Sequence, residues 1–342
     1  MTPLLSVIIV TWNGMQYLPD CLQALHTQLP QGAEIIIVDN GSTDDTLIWS
    51  HAHYPEARLL ALPTNLGFAG GVNVGLRNAR SELLLLINND AFVEPGCISA
   101  LLAAAQGFPE VGAFSMLLTF AHRPEIVASA GILARSDGVA LDLWTGRNIQ
   151  GLPGDVQAIM GASGGGVLLR RAMLEDIGLF EPWFFNYLED VDLAWRALLR
   201  GWKTMLVPQA RARHVYSATA GQGSPFKQRL LARNRLAALI RCWPTGLLLR
   251  YLPRIVLYDG LAACYGLLHN APAIAWGRAE ALLALPMLLQ QRKAIQTARR
   301  VANQDFAEWL QAAPMPWTIG QQHQQLDDML SDRTQKKDGA SP

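Results

Sequence analysis

Three acidic motifs carry the chemistry that this chain could perform: Asp39 at the end of EIIIVD, Asp90 at the end of LLLLINND, and Glu189-Asp190 within NYLEDVDLAWR. The apolar run before Asn88, Asn89 and Asp90 reads as a strand buried on both faces. In an open α/β sheet, ligands bind beyond the carboxyl ends of the strands, so a carboxylate at 90 can hold a metal ion against a phosphate oxygen. An Asn/Asp turn closing a core strand is the competing reading. Asp39 can accept hydrogen bonds from a ribose hydroxyl or a base N–H, or cap a helix starting near Asp44. Glu189, Asp190 and Asp192 open a helix behind the aromatic stretch FEPWFFNY. Aromatic rings beside a carboxylate suit a sugar-binding cleft, although acids also suit any helix N-terminus. Asp192 and Arg196 stand at i, i+4 and can pair as a helix salt bridge.

Regular elements must place these groups. Residues 5–11 (LSVIIVT) predict a first strand, Trp12-Asn13-Gly14 a turn, and residues 17–27 a helix with Leu18, Leu22 and Leu25 on one face. Residues 34–39 form the second strand, 58–62 a third, 70–79 a helix, and 83–90 the central strand. A helix over 95–106 and a strand over 111–118 continue the pattern. Alternation of this kind implies a mostly parallel, doubly wound sheet. Glycines 67, 70, 71 and 75 in NLGFAGGVNVG do not match a dinucleotide fingerprint, yet they permit a ligand to approach backbone at a helix start. Ser163 and the three glycines behind it leave room for a substrate or make a tight bulge. Residues 121–155 give no clear pattern.

Half of the 342 residues are apolar and 16% are charged, as in a packed globular protein. Cys21, Cys97, Cys242 and Cys264 are scattered, so free thiols in a reducing compartment are expected. The start, MTPLLSVIIVTWNG, lacks the basic segment of a signal peptide. Net charge is zero, but residues 1–210 hold 11 Lys/Arg against 20 Asp/Glu, and residues 211–300 hold 14 against 2. The first part suits metals and the second suits phosphates or anionic lipid.

Taken together, SVIIVTWNG, IIIVDNGSTDDT, NLGFAGGVNVGL, LLLLINNDAFVEP, SGGGVLLRRAMLEDIGLFEPWFFNYLEDVDLAWRALLRGW and VPQARARHV resemble, in order over about residues 4–216, the family 2 glycosyltransferases of GT-A fold. Within that family the resemblance is to the rhamnosyltransferase-like branch of bacterial envelope polysaccharide synthesis. One departure is that Asn88-Asn89-Asp90 replaces the Asp-x-Asp motif, leaving a single carboxylate. The resemblance implies that Asp39 binds the base or ribose, with Thr11 and Asn13 lining its pocket and Asn65, Gly67, Gly71, Asn73 and Asn89 completing the nucleotide-sugar site. It implies Mg²⁺ or Mn²⁺ on Asp90 and His214, Asp190 of the Glu189-Asp190 pair as general base, and an acceptor site around Gly164, Gly165, Trp183 and Arg196. A lone His such as His214 is otherwise more often structural. A catalytic domain over 1–220 is expected, with its nucleotide-sugar half at about 1–115 and its acceptor half at about 116–220.

Residues 221–320, where Arg229, Arg233, Arg235 and Arg241 accompany leucine-rich stretches, should form basic, amphipathic helices lying on the inner face of the cell membrane, with arginines toward lipid phosphates. A helical subdomain packed on the catalytic core is the alternative. A polar tail follows over 321–342. The expected activity is inverting transfer of a sugar, rhamnose from dTDP-rhamnose by resemblance, to a glycan or lipid-linked acceptor in the cytoplasm, with no nucleic-acid partner and with oligomerisation left open. A nucleotidyltransferase would want a basic glycine-rich loop after the first strand, and Trp12 to Gln16 has no Lys or Arg. A catalytically dead scaffold would have lost one of the three acids.

Overall fold

A computed structural model of the chain describes residues 3–215 and 224–314, so the tail expected at 321–342 lies outside the described residues. The chain opens with β1 (Ser6–Thr11), α1 (Leu18–His26), β2 (Glu34–Asp39), α2 (Thr46–His53), β3 (Arg58–Ala61), α3 (Gly67–Asn78) and β4 (Leu83–Asn88). β1 pairs in parallel with both β2 and β4, and β2 pairs in parallel with β3. Side chains alternate across these strands and divide into two cores. Val7, Ile9, Ile35, Ile37, Leu85 and Ile87 meet Leu18, Leu22 and Leu25 of α1. Ile8, Ile36, Val38, Leu84 and Leu86 meet Val72 and Leu76 of α3 on the other side. Burial on both faces is what the unbroken apolar runs require.

Next come β5 (Ala91–Val93), α4 (Cys97–Gly107), β6 (Val111–Phe120), β7 (Arg123–Ser129), β8 (Ile132–Arg135), β9 (Ala140–Asp142), β10 (Gln157–Ile159), β11 (Gly166–Arg170), α5 (Arg171–Ile177), α6 (Glu189–Arg200) and β12 (Lys203–His214). The path through the main sheet is β10-β12-β6-β11-β4-β1-β2-β3. β11 runs antiparallel between β4 and β6, whereas β6 and β12 are parallel. The result is a mixed α/β protein with a large, mostly parallel sheet. The patternless stretch after residue 120 becomes β7, paired with β6, and the β8–β9 hairpin of a separate small sheet.

The last part is helical: α7 (Pro225–Cys242), α8 (Thr245–Leu268), α9 (Pro272–Leu283), α10 (Leu285–Thr297) and α11 (Asn303–Ala307), with β13 (Leu310–Gln311) joining β8. Trp195 and Leu199 of α6 pack with Trp243, Leu247, Leu288 and Phe306 of this part, while Leu193 and Ala197 of α6 pack on the sheet. One helix thus carries two apolar stripes and joins the two layers.

The arginines expected to face lipid are mostly directed inward. Arg235 pairs with Asp259, Arg229 with Glu280, and Arg241 with Glu181 and Asp192. Arg233 lies over the Trp183 ring at 4.2 Å. Their partners stand far off in sequence, which is why composition alone misplaces them. Among the described residues, no single helix is long and apolar enough to cross a membrane; α9 and α10 qualify only together, bent by 63°.

Candidate active site

The carboxyl ends of β1, β2 and β4 form one edge, where Thr11 stands opposite Asp39 and Val10 opposite Asn88. Asp39 is buried, and its Oδ2 accepts the Ser42 N–H at 3.3 Å. Its Oδ1 is buried and has no hydrogen-bond partner among the described residues. A buried acceptor without a donor is costly, and a ribose hydroxyl or base N–H would satisfy it. Asn13 takes a positive φ of 49° at the turn after β1. Its Oδ1 accepts the Thr43 N–H at 2.8 Å and its own N–H donates to Ser42 Oγ at 2.8 Å, tying the first two loops together. Gly14 is needed here because a Cβ would fall 1.9 Å from Thr11 Oγ1.

Asn89 Nδ2 donates to Thr11 Oγ1 at 3.0 Å, which joins this corner to the loop after β4. There Asp90 Oδ1 lies 3.1 Å from His214 Nε2 at the end of β12. β12 brings His214 in by pairing antiparallel with β5, His214 opposite Ala91. No cluster of three or more His, Cys, Asp or Glu able to hold a metal occurs among the described residues. Asp90 and His214 would nevertheless offer a divalent ion one carboxylate oxygen and one imidazole nitrogen that already stand together. Mg²⁺ ordinarily takes one or two protein carboxylates and completes its shell with water and substrate phosphate.

Gly165 sits against this pair, a Cβ there lying 3.4 Å from His214 Cε1 and 3.6 Å from Asn88 Nδ2. Its neighbour Gly164 donates its N–H to Asp190 Oδ2 at 2.9 Å. A series of hydrogen bonds and close neighbours therefore leads from Thr11, beside Asp39 in the sheet, to Asp190. Asp190 is half-buried and Glu189 is buried. Burial, and then the negative charge of Asp142 on β9, pushes Asp190 up to about 6, against the Gly164 hydrogen bond. Burial and the Asp190 charge push Glu189 well above the usual carboxylate range. Glu189 Oε2 has no hydrogen-bond partner among the described residues. The half-buried Asp190 is therefore the better placed of the two to exchange a proton with a ligand.

Several residues expected in the site make scaffold contacts. Arg196 is buried and bonds Asp192 and the carbonyls of Ile177, Gly178 and Leu179, so it is directed away from the cleft. The buried Asn73 side chain holds the Phe180 backbone through both its N–H and its carbonyl. A Cβ on Gly71 would strike Val10, so this glycine lets α3 pack on β1. Asn65 Oδ1 accepts from Asn40 Nδ2 and the Gly67 N–H, which shapes the loop. Gly67 has a φ of +72° and lies where a Cβ would meet the Phe185 carbonyl at 2.3 Å. Trp183 is packed against the C-terminal core beneath Arg233.

Asn40 was not singled out in the sequence. It is buried and bonds Asn65, the Gly67 carbonyl and the Leu66 N–H, fixing the glycine-rich loop against β2. Its place directly after Asp39 was the available signal. Asp142 lay in the patternless stretch and offered none.

The glycosyl transferase family 2 model matches residues 6–178, just over half of the chain. An N-acetylglucosaminyl-diphospho-decaprenol L-rhamnosyltransferase of Mycobacterium tuberculosis is 28% identical over 243 residues, covering 65% of this chain and 79% of that protein. Two solved structures share the fold. GalNAc-T7 with UDP, GalNAc and Mn²⁺ superposes with a TM-score of 0.60 at 16% identity, over 84% of this chain and 58% of that one. A mannosyltransferase from Pyrobaculum calidifontis with GDP-Man and Mn²⁺ gives 0.50 at 19% identity, over 87% and 86%. The fold is GT-A, and the chain belongs to glycosyl transferase family 2.

Proposed function

We propose that this glycosyltransferase moves rhamnose from dTDP-rhamnose, with inversion, onto a lipid-linked or polysaccharide acceptor in cell-envelope glycan synthesis. The observation that carries the reading is the line of hydrogen bonds and close neighbours from Asp39 and Thr11, side by side in the sheet, through Asn89, Asp90, His214 and Gly165, to Asp190. We read these residues as a nucleotide corner, a diphosphate corner and a base along one edge. Choice of sugar and of a lipid-linked acceptor rests on likeness to the mycobacterial rhamnosyltransferase.

In the reaction, Asp190 accepts the proton of the acceptor hydroxyl as that oxygen attacks the anomeric carbon from the face opposite the leaving group. The anomeric C–O bond to the diphosphate breaks, and the nucleoside diphosphate departs with the bond's electron pair. Asp39 and the Asn13 turn hold the nucleoside, and Gly164 and Gly165 leave space for the sugar between diphosphate and base. Mg²⁺ or Mn²⁺ on Asp90 and His214 would neutralise charge on the departing diphosphate. Incubation with dTDP-rhamnose, UDP-GlcNAc and GDP-mannose, scoring hydrolysis or transfer, tests the donor. Turnover of dTDP-rhamnose alone is expected; a preference for either other donor would overturn the sugar assignment.

Membrane association on the cytoplasmic side completes the reading. Leu249, Leu252, Val256, Leu257, Leu261 and Leu268 of α8 are exposed. Asp259 and Glu280, the two acids of residues 211–300, are both held by arginines, while Arg250 is exposed and Arg254, also exposed, donates to Ser136 Oγ at 3.1 Å. A face of this kind suits an anionic interface. Flotation with phosphatidylglycerol vesicles should recover the protein, and Leu257→Glu with Leu261→Glu should lower recovery several-fold. Equal recovery of the double variant, or a stable dimer that buries the face, would count against membrane association.

A further inference from the structure

The segment that delivers Asp190 is held by a helix that the family match does not reach. Phe185, Tyr187 and Leu188 all have positive φ, 63°, 70° and 63°. None is glycine, and side chains of this kind rarely enter that region of backbone space. Three such residues within four positions, immediately before Glu189-Asp190, need an external restraint. Asn234 of α7 supplies one. It is fully buried, and its Nδ2 donates to the carbonyls of Phe184, Asn186 and Tyr187 at 2.9, 2.9 and 2.7 Å.

All three partners are acceptors, so only the amide nitrogen can face them. The amide oxygen is occupied as well: Arg233 Nε donates to Asn234 Oδ1 at 2.8 Å. The same guanidinium donates through Nη2 to the Trp183 and Phe184 carbonyls at 2.7 and 2.9 Å. Two neighbouring side chains thus bind four backbone carbonyls, those of Trp183, Phe184, Asn186 and Tyr187, along this unfavourable backbone path. Phe185 also accepts the Ala69 N–H at 3.2 Å through its carbonyl, against which Gly67 is closely packed. The segment therefore touches the glycine-rich loop on one side and ends in the base on the other.

We propose that Asn234, oriented by Arg233, is a positioning residue that sets the Asp190 carboxylate against Gly164, so that α7 is part of the catalytic apparatus and not only a covering helix. The inference rests on Asp190 acting as the base. It does not touch substrate itself; its effect passes through the path of residues 184–188.

The test is steady-state kinetics of Asn234→Ala and Arg233→Lys, with nucleotide binding followed by calorimetry and amide hydrogen exchange followed over residues 185–190. For Asn234→Ala we expect kcat at least tenfold lower, affinity for dTDP within twofold of the parent, faster exchange at 185–190, and an acidic limb of the pH profile moved below that of the parent as the carboxylate is released from burial. Arg233→Lys keeps the Asn234 amide and should show the same changes at several-fold smaller size, which keeps the inference testable if Asn234→Ala fails to fold. Folded variants with parental kcat and an unmoved acidic limb, whatever their melting temperature, would reduce Asn234 to a purely structural role and overturn it. Should Asp190→Asn itself retain parental kcat, the base assignment fails first, and that result is separable because it involves no change in residues 233 and 234.

Discussion

Asp190→Asn is expected to lower kcat by about 10²–10⁴-fold, the usual contribution of a general base, while leaving nucleotide affinity within a few-fold of the parent. The substitution keeps shape and keeps an oxygen able to accept the Gly164 N–H, so what it removes is basicity. Near-parental kcat would sink the assignment. The pH dependence gives a second check. Only the carboxylate can accept a proton, and burial together with the Asp142 charge raises Asp190 to about 6. Activity should therefore rise with pH through about 6 and level off above it, falling about tenfold per unit below. Asp142→Asn removes a like charge and should move that limb to lower pH. An elevated pKa near the working pH strengthens the base while leaving most of it ionised at pH 7. Residual activity of the Asn variant should lack the limb altogether.

Strand ends were readable because each depends on local pattern. EIIIVD and LLLLIN are buried on both faces as strands, and the polar residues that follow them necessarily fall on one edge of a parallel sheet. Direction was less readable: nothing in GVLLR distinguishes an antiparallel β11 from a parallel one, since either is buried on both sides. Residues 121–155 escaped because β8 and β9 are short and form part of a small separate sheet, and because β7 opens on Arg, Pro and Glu before its apolar residues. Side-chain orientation on helices was misjudged where the deciding partner is remote. Gly71 and Asn73 look like a ligand loop, and in the structure they make contacts with Val10 and Phe180. Asn234 is one polar residue in an arginine-leucine helix, and its three acceptors lie about 50 positions earlier. The α7 arginines looked like a lipid-facing set because the chain supplies their counter-charges from α6, α8 and α9.

Asp192 shows how much the fold depends on those remote pairs, and its removal should have the largest effect on stability. The carboxylate is fully buried, with Arg196 Nε at 2.8 Å on one oxygen and Arg241 Nε at 2.9 Å on the other. Burial alone would raise its pKa, yet the two guanidinium groups hold it below the usual carboxylate range. Asp192→Ala would leave both cations buried. Arg196 would keep three carbonyl acceptors and Arg241 would keep Glu181 and Gln291, but neither set of neutral or already shared partners replaces the lost charge. Breaking a buried pair in this way costs about 3–5 kcal/mol. By contrast, His26 and Glu56 are exposed and 4.0 Å apart, so Glu56→Gln should change stability by about 0–1 kcal/mol. Urea unfolding of both variants measures the difference, and an Asp192→Ala loss below 1 kcal/mol would refute the argument. A triple change to Asp192→Leu, Arg196→Met and Arg241→Met should recover part of the loss, because it removes the three buried charges together while leaving Glu181 and the carbonyls of Ile177, Gly178 and Leu179 without their arginine donors. Recovery of folding without recovery of kcat would then separate holding α6 in place from aiming the base at its first turn.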